Sequence, residues 1–561
     1  MKPIIFVSVL FFIVLQSIVG QENTSFKTDD IHSIDAAHGS YGMVVSNSAA
    51  ASQTALNILK KGGNAIDAAI AANALLGVTH PTHGGVGGDL YALVWDSKTK
   101  QLYGLNTTGK SPGALRFEKL KSQKITKIAE NSPLSITVPG CVDGWYELHE
   151  KFGKLPAYEI LADAIQCAED GFIMTDEVAK QIENEAVSLK QYDNFRKLFM
   201  VDSITPISGD LFINPDLAKL YKKLANNGFR SFYKAENSQL IVNTVVREGG
   251  YLNLEDLNNH HSEWVDPIST DYRGNIVFQL PPNGMGINLL KMLDIVGNFN
   301  LGQLKFGSKQ YLHTLIEVNK LATQDQEKFY KDPSYKKYGK TDFPDKQDAK
   351  MKLRGFSSTN TLNIPSYTIE NESNTISIIV ADDEGNFIVL AQNNYAGMGS
   401  GIVPDGLGFV LQNRASAFSM KKNDGNAYAA YSRPHFNSIP CMVMNDGKPV
   451  LCLSLADNSL NALAEIQYLI NTIDFKMEAA EALRAPFIYD NQITNKRRNS
   501  SWITIEKGIN YQIVRDLMAI GHRIKFVSEP LTGMQVLSVQ KDKKKFLGLT
   551  RSTEKGYVAG Y

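Results

Sequence analysis

The sequence predicts an α+β layered sandwich, with helices in most of the chain before Thr375 and strands in most of the chain after it. The 561 residues, with 43% hydrophobic and 21% charged side chains, have the composition of an ordinary globular protein. This composition excludes disorder, collagen and coiled coil as the main content of the chain. Length alone does not settle the number of domains, since one large sandwich or about three smaller domains would both fit.

The first twenty residues have the pattern of a secretory signal. Lys2 is followed by the apolar run PIIFVSVLFFIVLQSIV and by the small residue Gly20, so we expect cleavage near Gly20 and secretion of residues 21–561. An uncleaved signal anchor is the alternative. The run is shorter than the ~20 residues that a span requires, and Gln16 and Ser17 interrupt it. No later stretch is long and apolar enough to span a bilayer, so we expect no membrane span in the mature chain.

The charges and cysteines exclude several classes of protein. Lys and Arg number 58, as do Asp and Glu, so the chain has no electrostatic basis for binding nucleic acid. The four cysteines allow three disulfide pairings, which an oxidising compartment permits without requiring, and the absence of a CxxC motif excludes a zinc ribbon. The four glycosylation acceptors of the N-x-S/T type are Asn23, Asn106, Asn371 and Asn499.

The segment from Tyr41 to Asp96 alternates between strand and helix patterns. GMVVSNS and DLYALVWD predict strands, and ASQTALNILKKGG and the alanine-rich NAIDAAIAANALLGV predict two helices. The glycines of GGVGG lead into a strand with no following Lys-Ser/Thr, which argues against a nucleotide loop. His80 and His83 with Asp89 can be read as metal ligands, but a polar turn is the favoured interpretation because no HExxH supports a metal.

The remaining elements follow in order. Helical spacing predicts helices over 155–171, 176–199, 215–223, 289–296 and 312–321, and residues 272–280 predict a strand. The charged segment 331–354 shows no clear period and predicts a loosely packed connector. The last third predicts strands in TISIIVADDEGNFIVLAQ, GFVLQN, CMVMNDGKPVLCLSL and QVLSVQKDKKKFLGLTR.

Thr375 begins the first strand of the clearest predicted hairpin. If the bond between Asn374 and Thr375 were cut, the threonine would gain a free amine beside its hydroxyl, and this amine can act as the base that activates the oxygen. By itself the pattern does not favour this role, because threonine is common in strands.

Eight segments in chain order carry a resemblance to a known family. They are GMVVSNSAAASQTALNILKKGGNAIDAAIAANALLGV, GGVGGDLYALVWD, ITVPGCVDGWYELHEKFGKLP, NPDLAKL, DLNNHHSEWVDPISTDYRG, PPNGMGINLL, NTISIIVADDEGN and GSGIVPDGLGFVLQN. They closely resemble the gamma-glutamyltransferase (glutathione hydrolase) family of N-terminal nucleophile hydrolases over essentially the whole mature chain. LNTTGKSP, SEWVDPISTDYRG, NNYAGMGSGIVP and VLQNR are most similar to its glutathione-hydrolase-like and cephalosporin-acylase-like branch.

The resemblance implies a four-layer αββα sandwich made as one proenzyme that cuts itself before the nucleophile, here Thr375. The large chain would be residues 21–374 and the small chain residues 375–561, together forming a heterodimer. Thr375 would attack a gamma-glutamyl amide such as glutathione, and water or an amine acceptor would resolve the acyl-enzyme. The resemblance implies neither a metal nor an organic cofactor.

The residues implied to recognise the substrate differ from the family pattern. The threonine supporting the nucleophile falls at Asn393, and the asparagine two positions on falls at Tyr395. The arginine for the α-carboxylate falls at Thr108, where Lys110 can supply the charge, and Arg414 can take a carboxylate bidentately. The aspartate for the α-amino group falls at Ala417, and the serine pair falls at Phe436 and Asn437.

The implied oxyanion segment also departs from the pattern, because the family's Gly-Gly falls at Asp457 and Asn458. Backbone N–H groups survive such a change, but a carboxylate facing an oxyanion would repel it. Two functions therefore stay open. One is a secreted, self-processing threonine hydrolase or transferase, and the other is a catalytically impaired relative that acts on cells as a secreted effector or venom toxin.

Overall fold

The computed structural model describes residues 33–329, 331–333, 343, 345–362, 375–455, 461–491, 502–528, 533–540, 545–551 and 556–561. The helices, in chain order, are α1 Ala49–Lys60, α2 Ala65–Thr79, α3 Phe117–Ser122, α4 Cys141–Phe152, α5 Ala157–Ile160, α6 Ala162–Asp170, α7 Asp176–Leu189, α8 Asp193–Phe199, α9 Pro215–Asn227, α10 Ala235–Arg247, α11 Leu254–Asn258, α12 Ile287–Val296, α13 Lys309–Thr323, α14 Lys346–Lys352, α15 Asn461–Ile473, α16 Ala479–Arg484 and α17 Tyr511–Ala519.

The strands are β1 Ile34–Gly39, β2 Met43–Ser46, β3 Asp89–Asp96, β4 Gln101–Asn106, β5 Phe172–Ile173, β6 Leu211–Phe212, β7 Glu263–Val265, β8 Ile268–Tyr272, β9 Asn275–Gln279, β10 Ile376–Ala381, β11 Phe387–Asn393, β12 Cys441–Asn445, β13 Lys448–Leu455, β14 Ile488–Asn491, β15 Trp502–Glu506, β16 Ile524–Val527, β17 Met534–Gln540, β18 Lys545–Arg551 and β19 Tyr557–Gly560. Two seven-stranded sheets dominate, in the orders β19-β2-β10-β11-β3-β4-β7 and β1-β18-β17-β13-β12-β9-β8.

Side-chain alternation along the strands shows that the two sheets stack face to face. In β10, Ile378 and Val380 pack into a core shared with α1, α2 and α4, whereas Ile379 and Ala381 point the other way. There they meet Met442 and other residues of the second sheet. The opposite face of that sheet packs against α12, α13 and α15. These four layers confirm the predicted αββα sandwich.

Helix α2 holds its sheet closely because it is built of small residues. All fifteen of its residues are buried, and its start is fixed by a capping box between Asn64 and Asp67. Alanine side chains let the helix approach both the strands and its neighbouring helices, which agrees with the prediction from its composition. The result is a rigid layer beneath β10 and β11.

Several predicted elements differ from the structure. GFVLQN is not a strand, because its N–H groups donate to scattered loop carbonyls and not to one strand edge. Leu411 N–H donates to Ile402, Gln412 N–H to Gly87 and Asn413 N–H to Asn394. Only the later part of the predicted strand 272–280 forms a strand, β9. Arg273 and Gly274, both with positive φ, form the tight turn that joins β8 to β9. The predicted connector 331–354 contains α14, which Asp345 caps.

The four cysteines are free thiols in this structure, so none of the three disulfide pairings that the sequence allows is formed. Cys441 and Cys452 lie on neighbouring strands, but Cys441 faces Leu453 and Cys452 faces Met442 in the register. Since successive side chains of a strand point to opposite faces, the two sulfur atoms belong to different cores. The part of the chain described by the structure has no helix long and apolar enough to cross a bilayer.

Residues before and after Thr375 share both large sheets. In one sheet β10 and β11 lie between β2 and β3, and in the other β12 pairs with β9 while β18 pairs with β1. The strands that follow Thr375 are therefore held by strands that precede it. Neither part of the chain forms either of the two seven-stranded sheets alone.

Candidate active site

Thr375 lies immediately before β10, in the middle of one sheet, and is completely buried. Its Oγ1 is 3.2 Å from Ser438 Oγ. Asn47, at the end of β2, donates from Nδ2 to the Thr375 carbonyl at 3.0 Å and accepts from the Ser377 N–H at 2.6 Å. These two bonds fix the backbone on both sides of Ile376 and hold the hydroxyl at a defined place.

Asn393 reaches the Thr375 hydroxyl from the neighbouring strand. β10 and β11 are antiparallel with Ile376 opposite Gln392, so the last residue of β11 lies opposite Thr375. Its Nδ2 donates to Thr375 Oγ1 at 3.3 Å and to Ser438 Oγ at 3.1 Å. The sequence resemblance assigned Asn393 to the position that supports the nucleophile, and the structure places its amide there.

Tyr395 adopts an unusual backbone conformation beside this amide. Its φ is +80°, a value that non-glycine residues rarely adopt, and its N–H donates to Asn393 Oδ1 at 3.1 Å. The ring lies edge-on to that of His435, with centroids 6.0 Å apart. Strain of this kind is typical of residues that shape a functional site.

Arg414 is fully buried and bonded to the protein rather than open for a bidentate contact. Its Nε donates to Asp89 Oδ2 at 2.7 Å, and its Nη2 donates to Asn393 Oδ1 at 2.5 Å. Burial raises the pKa of Asp89 and lowers that of Arg414, while their mutual attraction opposes both shifts. A bidentate grip on a substrate carboxylate would have to break one of these bonds, so that prediction needs correction. Of the three guanidinium nitrogens of Arg414, Nη1 is the one with no hydrogen-bond partner among the described residues.

The other predicted substrate residues have different surroundings. Phe436 stacks on Tyr91 with ring centroids 3.9 Å apart, and the Arg414 guanidinium lies 4.4 Å from the Phe436 centroid. Asn437 is buried between Phe436 and Ser438 in the same loop. Lys110 is half-buried, and in the described part of the chain its side chain forms no ion pair. The structure therefore does not bring Lys110 into the Thr375 network.

Thr108 and Ala417 contribute backbone groups. The Thr108 carbonyl accepts from Arg433 Nε at 2.8 Å. The Ala417 carbonyl accepts from Asn426 Nδ2 at 2.7 Å. Neither position offers a charged side chain for an amino acid substrate.

His435 is held neutral next to the site. Asn426 Nδ2, oriented by the Ala417 carbonyl, also donates to His435 Nδ1 at 3.1 Å, so the ring proton resides on Nε2. Burial, together with the positive charge of Arg414, lowers the pKa of His435 from 6.5 to about 3. The ring is therefore neutral throughout the physiological range.

Replacing His435 with glutamine should flatten the pH dependence of stability below pH 6.5. The unfolded chain takes up a proton on His435 as the pH falls through 6.5, whereas the folded chain does so only near 3. The histidine therefore lowers the free energy of unfolding by up to about 1.4 kcal/mol for each pH unit between these values. Urea unfolding of both proteins from pH 7.5 to 4.5 measures the difference, and parallel curves would contradict the neutral assignment.

A cleft of about 650 Å³ opens beside Tyr395. Small residues of the loop after β11 line one side, and α7 lines the other with Glu185, Ser188 and Leu189. Glu185 accepts a bond from the Met398 N–H, yet burial raises the pKa of its carboxyl. Neither Thr375 nor Asn393 is among the residues that line this cleft.

Several predicted positions lie outside the described residues. They are the oxyanion candidates Asp457 and Asn458, the processing residue Asn374, and the glycosylation candidates Asn23, Asn371 and Asn499. Asn106 is described, and it is only 3% exposed. Its Nδ2, the atom that a glycan would occupy, donates to Asn283 Oδ1 at 2.8 Å. The prediction of a glycan at Asn106 is therefore incompatible with this folded conformation.

Asp89 is not positioned as a metal ligand. His80 and His83 lie in the turn that the sequence favours, and Asp89 Oδ1 accepts from the N–H groups of Gly109 and Gly140 and from Gln412 Nε2. These bonds, with the one from Arg414 to Oδ2, engage both carboxylate oxygens. The Asp89 carboxylate therefore forms its hydrogen bonds within the protein.

Another buried group, elsewhere in the fold, has a composition that can hold a metal: His313, Glu317 and His522. His313 Nδ1 lies 2.7 Å from His522 Nε2. Glu317 Oε1 already accepts from Lys320 Nζ at 2.8 Å and from Thr361 Oγ1 at 3.1 Å. The Lys320 ammonium neutralises the Glu317 carboxylate, and Glu317 Oε1 already accepts two hydrogen bonds. We therefore interpret the group as a hydrogen-bonded network.

Sequence reasoning missed three members of the site. Ser438 lies one residue beyond the implied serine pair, Asn47 is 328 residues before Thr375, and Asp89 was considered only as a metal ligand. No sequence signal identifies Ser438 or Asn47. The close pairing of an aspartate after GGVGG with an arginine in VLQNR becomes evident only from the fold.

The family model described as gamma-glutamyltranspeptidase matches residues 51–561. The chain belongs to the gamma-glutamyltranspeptidase family. It is a gamma-glutamyltransferase-like or glutathione-hydrolase-like enzyme with the four-layer fold of N-terminal nucleophile hydrolases.

Relatives within the gamma-glutamyltranspeptidase family cover nearly the full length. The glutathione hydrolase-like YwrD proenzyme of Bacillus subtilis (strain 168) is 29% identical over 91% of this chain and 96% of its own. The acylase ACY 1 proenzyme of Pseudomonas sp. (strain V22) is 27% identical over 90% of this chain and 91% of its own. The cephalosporin acylase structure from Bacillus halodurans matches with a TM-score of 0.85 and 30% identity, covering 94% of this chain and 97% of that one.

Proposed function

We propose that this protein is a self-processing threonine hydrolase or transferase that uses Thr375 to cleave gamma-glutamyl or related amides, glutathione among them. The observation that carries the proposal is the buried Thr375 hydroxyl, which contacts Ser438 and receives a hydrogen bond from Asn393. Residues 1–20 would be removed on secretion, and cleavage after residue 374 would give the large and small chains. Glutathione hydrolase-like and acylase proenzymes among the relatives support the amide chemistry and the precursor.

Both reactions use the same oxygen. In processing, Thr375 Oγ attacks the carbonyl carbon of residue 374, the C–N bond breaks, and its nitrogen takes up the hydroxyl proton. Water then hydrolyses the ester, leaving a carboxylate on residue 374 and a free amine on Thr375. In turnover this amine accepts the hydroxyl proton while Oγ attacks the substrate amide, and the leaving amine takes up a proton.

Substrate recognition is expected to differ from that of a strict amino acid enzyme. Ala417 has no charge for an α-amino group, and Phe436 packs on Tyr91. The half-buried Lys110 and the Nη1 group of Arg414 are the two cations that the sequence offered for a substrate carboxylate. Amides whose acyl group has a carboxylate but no amino group are therefore proposed as substrates beside gamma-glutamyl compounds.

Mass spectrometry with N-terminal sequencing of the secreted protein tests the proposal. A fragment beginning at Thr375 together with hydrolysis of glutathione or a gamma-glutamyl anilide is the expected result. A chain intact from about Gln21 to Tyr561 would leave Thr375 without a free amine, and the enzyme proposal would fail. A glutaryl anilide, which lacks the α-amino group, is then assayed beside the gamma-glutamyl anilide. The ratio of the two kcat/KM values measures how much the α-amino group contributes to substrate recognition.

The two chains should stay associated after the cut. Strands β10 and β11 pair with β2 and β3 from the large chain, and Arg433 of the small chain bonds Thr108 and Glu263 of the large chain. Separation would expose both cores, so we expect one peak in native size-exclusion chromatography and two bands after denaturation. Two peaks under native conditions would contradict the shared sheets.

A further inference from the structure

Asp89 and Arg414 form a buried ion pair next to the nucleophile, with both side chains 0% exposed. We propose that this pair positions Asn393, holding its amide with Nδ2 toward the Thr375 hydroxyl, and that this is the main contribution of Arg414 to the reaction. The inference rests on the proposed role of Thr375 as the nucleophile. It assigns Asp89 and Arg414 as positioning residues, since neither bonds the Thr375 hydroxyl itself.

The orientation of the Asn393 amide follows from its partners. Oδ1 receives Arg414 Nη2 at 2.5 Å and the Tyr395 N–H at 3.1 Å. Both are obligate donors, since a guanidinium and a backbone N–H have no lone pair to offer. The oxygen must therefore face them, and Nδ2 must face the Thr375 and Ser438 hydroxyls. Without Arg414, the backbone of Tyr395 alone would oppose a flip of the amide.

Arg414 is itself held in one place. Its Nε bonds Asp89 Oδ2 at 2.7 Å, and its guanidinium lies 4.4 Å from the Phe436 ring centroid and 5.5 Å from that of Tyr395. Stacking on two rings and a charged hydrogen bond fix the plane of the fork. These contacts therefore fix the position of Nη2 relative to the Asn393 amide.

Asp89 is held by backbone N–H groups from two closely packed turns. Its Oδ1 accepts from Gly109 N–H at 3.1 Å and Gly140 N–H at 3.0 Å. A Cβ at either glycine would lie within 2 Å of a backbone carbonyl oxygen, so the two turns fit closely around the carboxylate. The chain of contacts thus runs from rigid backbone through Asp89 and Arg414 to the amide.

The arrangement has a chemical consequence at the Thr375 oxygen. A charged donor on Oδ1 polarises the amide and makes its Nδ2–H group a stronger donor. When Thr375 loses its proton during attack, that donor stabilises the developing negative charge on Oγ. Loss of the ion pair should therefore slow every reaction of this oxygen, including self-processing, whatever the substrate.

The experiment separates positioning from substrate binding by comparing two anilides, one glutaryl and one butyryl. Arg414→Gln leaves Asp89 unpaired and can impair folding, so the double variant Asp89→Asn, Arg414→Gln, which is neutral at both positions, is measured as well. The readouts are kcat and KM for each anilide and the rate at which the precursor is cut. Arg273→Gln, which removes the ion pair between the partly exposed Arg273 and the nearly buried Asp474 outside the site, is the matched control.

We expect kcat and the cutting rate of the double variant to fall about 10- to 100-fold, less than the ~100- to 1000-fold typical of losing a direct donor. The loss should be equal for both anilides, with KM little changed and thermal stability near that of Arg273→Gln. In an Asn393→Ala background, the same double change should cause no further loss, because Arg414 acts through Asn393.

Three outcomes would overturn the inference. The first is a higher KM for the glutaryl anilide alone, which would mean that Arg414 binds the substrate carboxylate. The second is full additivity of the double change with Asn393→Ala. The third is a double variant whose kcat and cutting rate are unchanged. A wild-type chain that stays uncut and inactive contradicts the proposed function instead. The two failures are thus distinguished by the wild-type protein alone.

Discussion

Replacing Thr375 with alanine should leave the precursor uncut and lower its activity on the order of 1000-fold or more. The change removes the hydroxyl that the proposed mechanism uses for both cleavage and acyl transfer. The rest of the site should survive, because Asn393 Nδ2 and Ser438 Oγ remain 3.1 Å apart as partners. Gel analysis and anilide hydrolysis measure the two losses, and circular dichroism verifies the fold.

Two further variants serve as controls for the Thr375→Ala result. Thr375→Ser keeps the hydroxyl and should still be cut, more slowly. Ser377→Ala removes the next hydroxyl of the same strand, which donates to Gln535 at 2.9 Å, and should be cut normally. Cleavage of Thr375→Ala at the same bond would exclude Thr375 as the nucleophile. An effect on cells that survives in the uncut protein would favour the effector function over the enzyme.

Replacing Glu506 with alanine should destabilise the protein by about 3–5 kcal/mol, because it breaks a buried ion pair between β15 and β18. Glu506 and Arg551 are both 0% exposed, with Nη2 to Oε2 at 2.6 Å and Nη1 to Oε1 at 3.1 Å. The variant leaves the arginine charge in the core without its carboxylate. It also leaves Phe487 N–H and Tyr489 OH without their acceptor.

Urea unfolding of the uncut Thr375→Ala chain, with and without the Glu506 change, measures this effect on one covalent chain. The double variant Glu506→Leu, Arg551→Met should recover much of the loss, since it removes both charges together. Asp176→Asn, in an exposed pair with Lys180, should leave the midpoint nearly unchanged. A Glu506→Ala loss below about 1 kcal/mol would mean that the arginine finds water or another partner.

Local sequence patterns predicted the elements whose character depends on near neighbours. The hairpin TISIIVADDEGNFIVLAQ became β10 and β11 because its two runs of β-branched and aliphatic residues and its Asp-rich turn act over a few residues. The GFVLQN segment has the same apolar content but no adjacent strand edge, so its backbone bonds loops instead. A pattern shows that a segment can be a strand, whereas the partner edge decides whether it is one.

The same distinction applies to the site. The sequence alone determined the family, the layered class and the choice of Thr375, since these depend on motifs and their order. Only the tertiary structure showed that Ser438 and Asn47 contact Thr375, that Asp89 engages Arg414, and that Asn106 is closed to a glycan. Asp89 and Arg414 are 325 residues apart in the chain. Asp89 lies opposite Asn393 because β3 and β11 are neighbours in one sheet, and the loop after β11 brings Arg414 back to both side chains. Contacts of such separation are set by packing of whole layers, which no local pattern encodes.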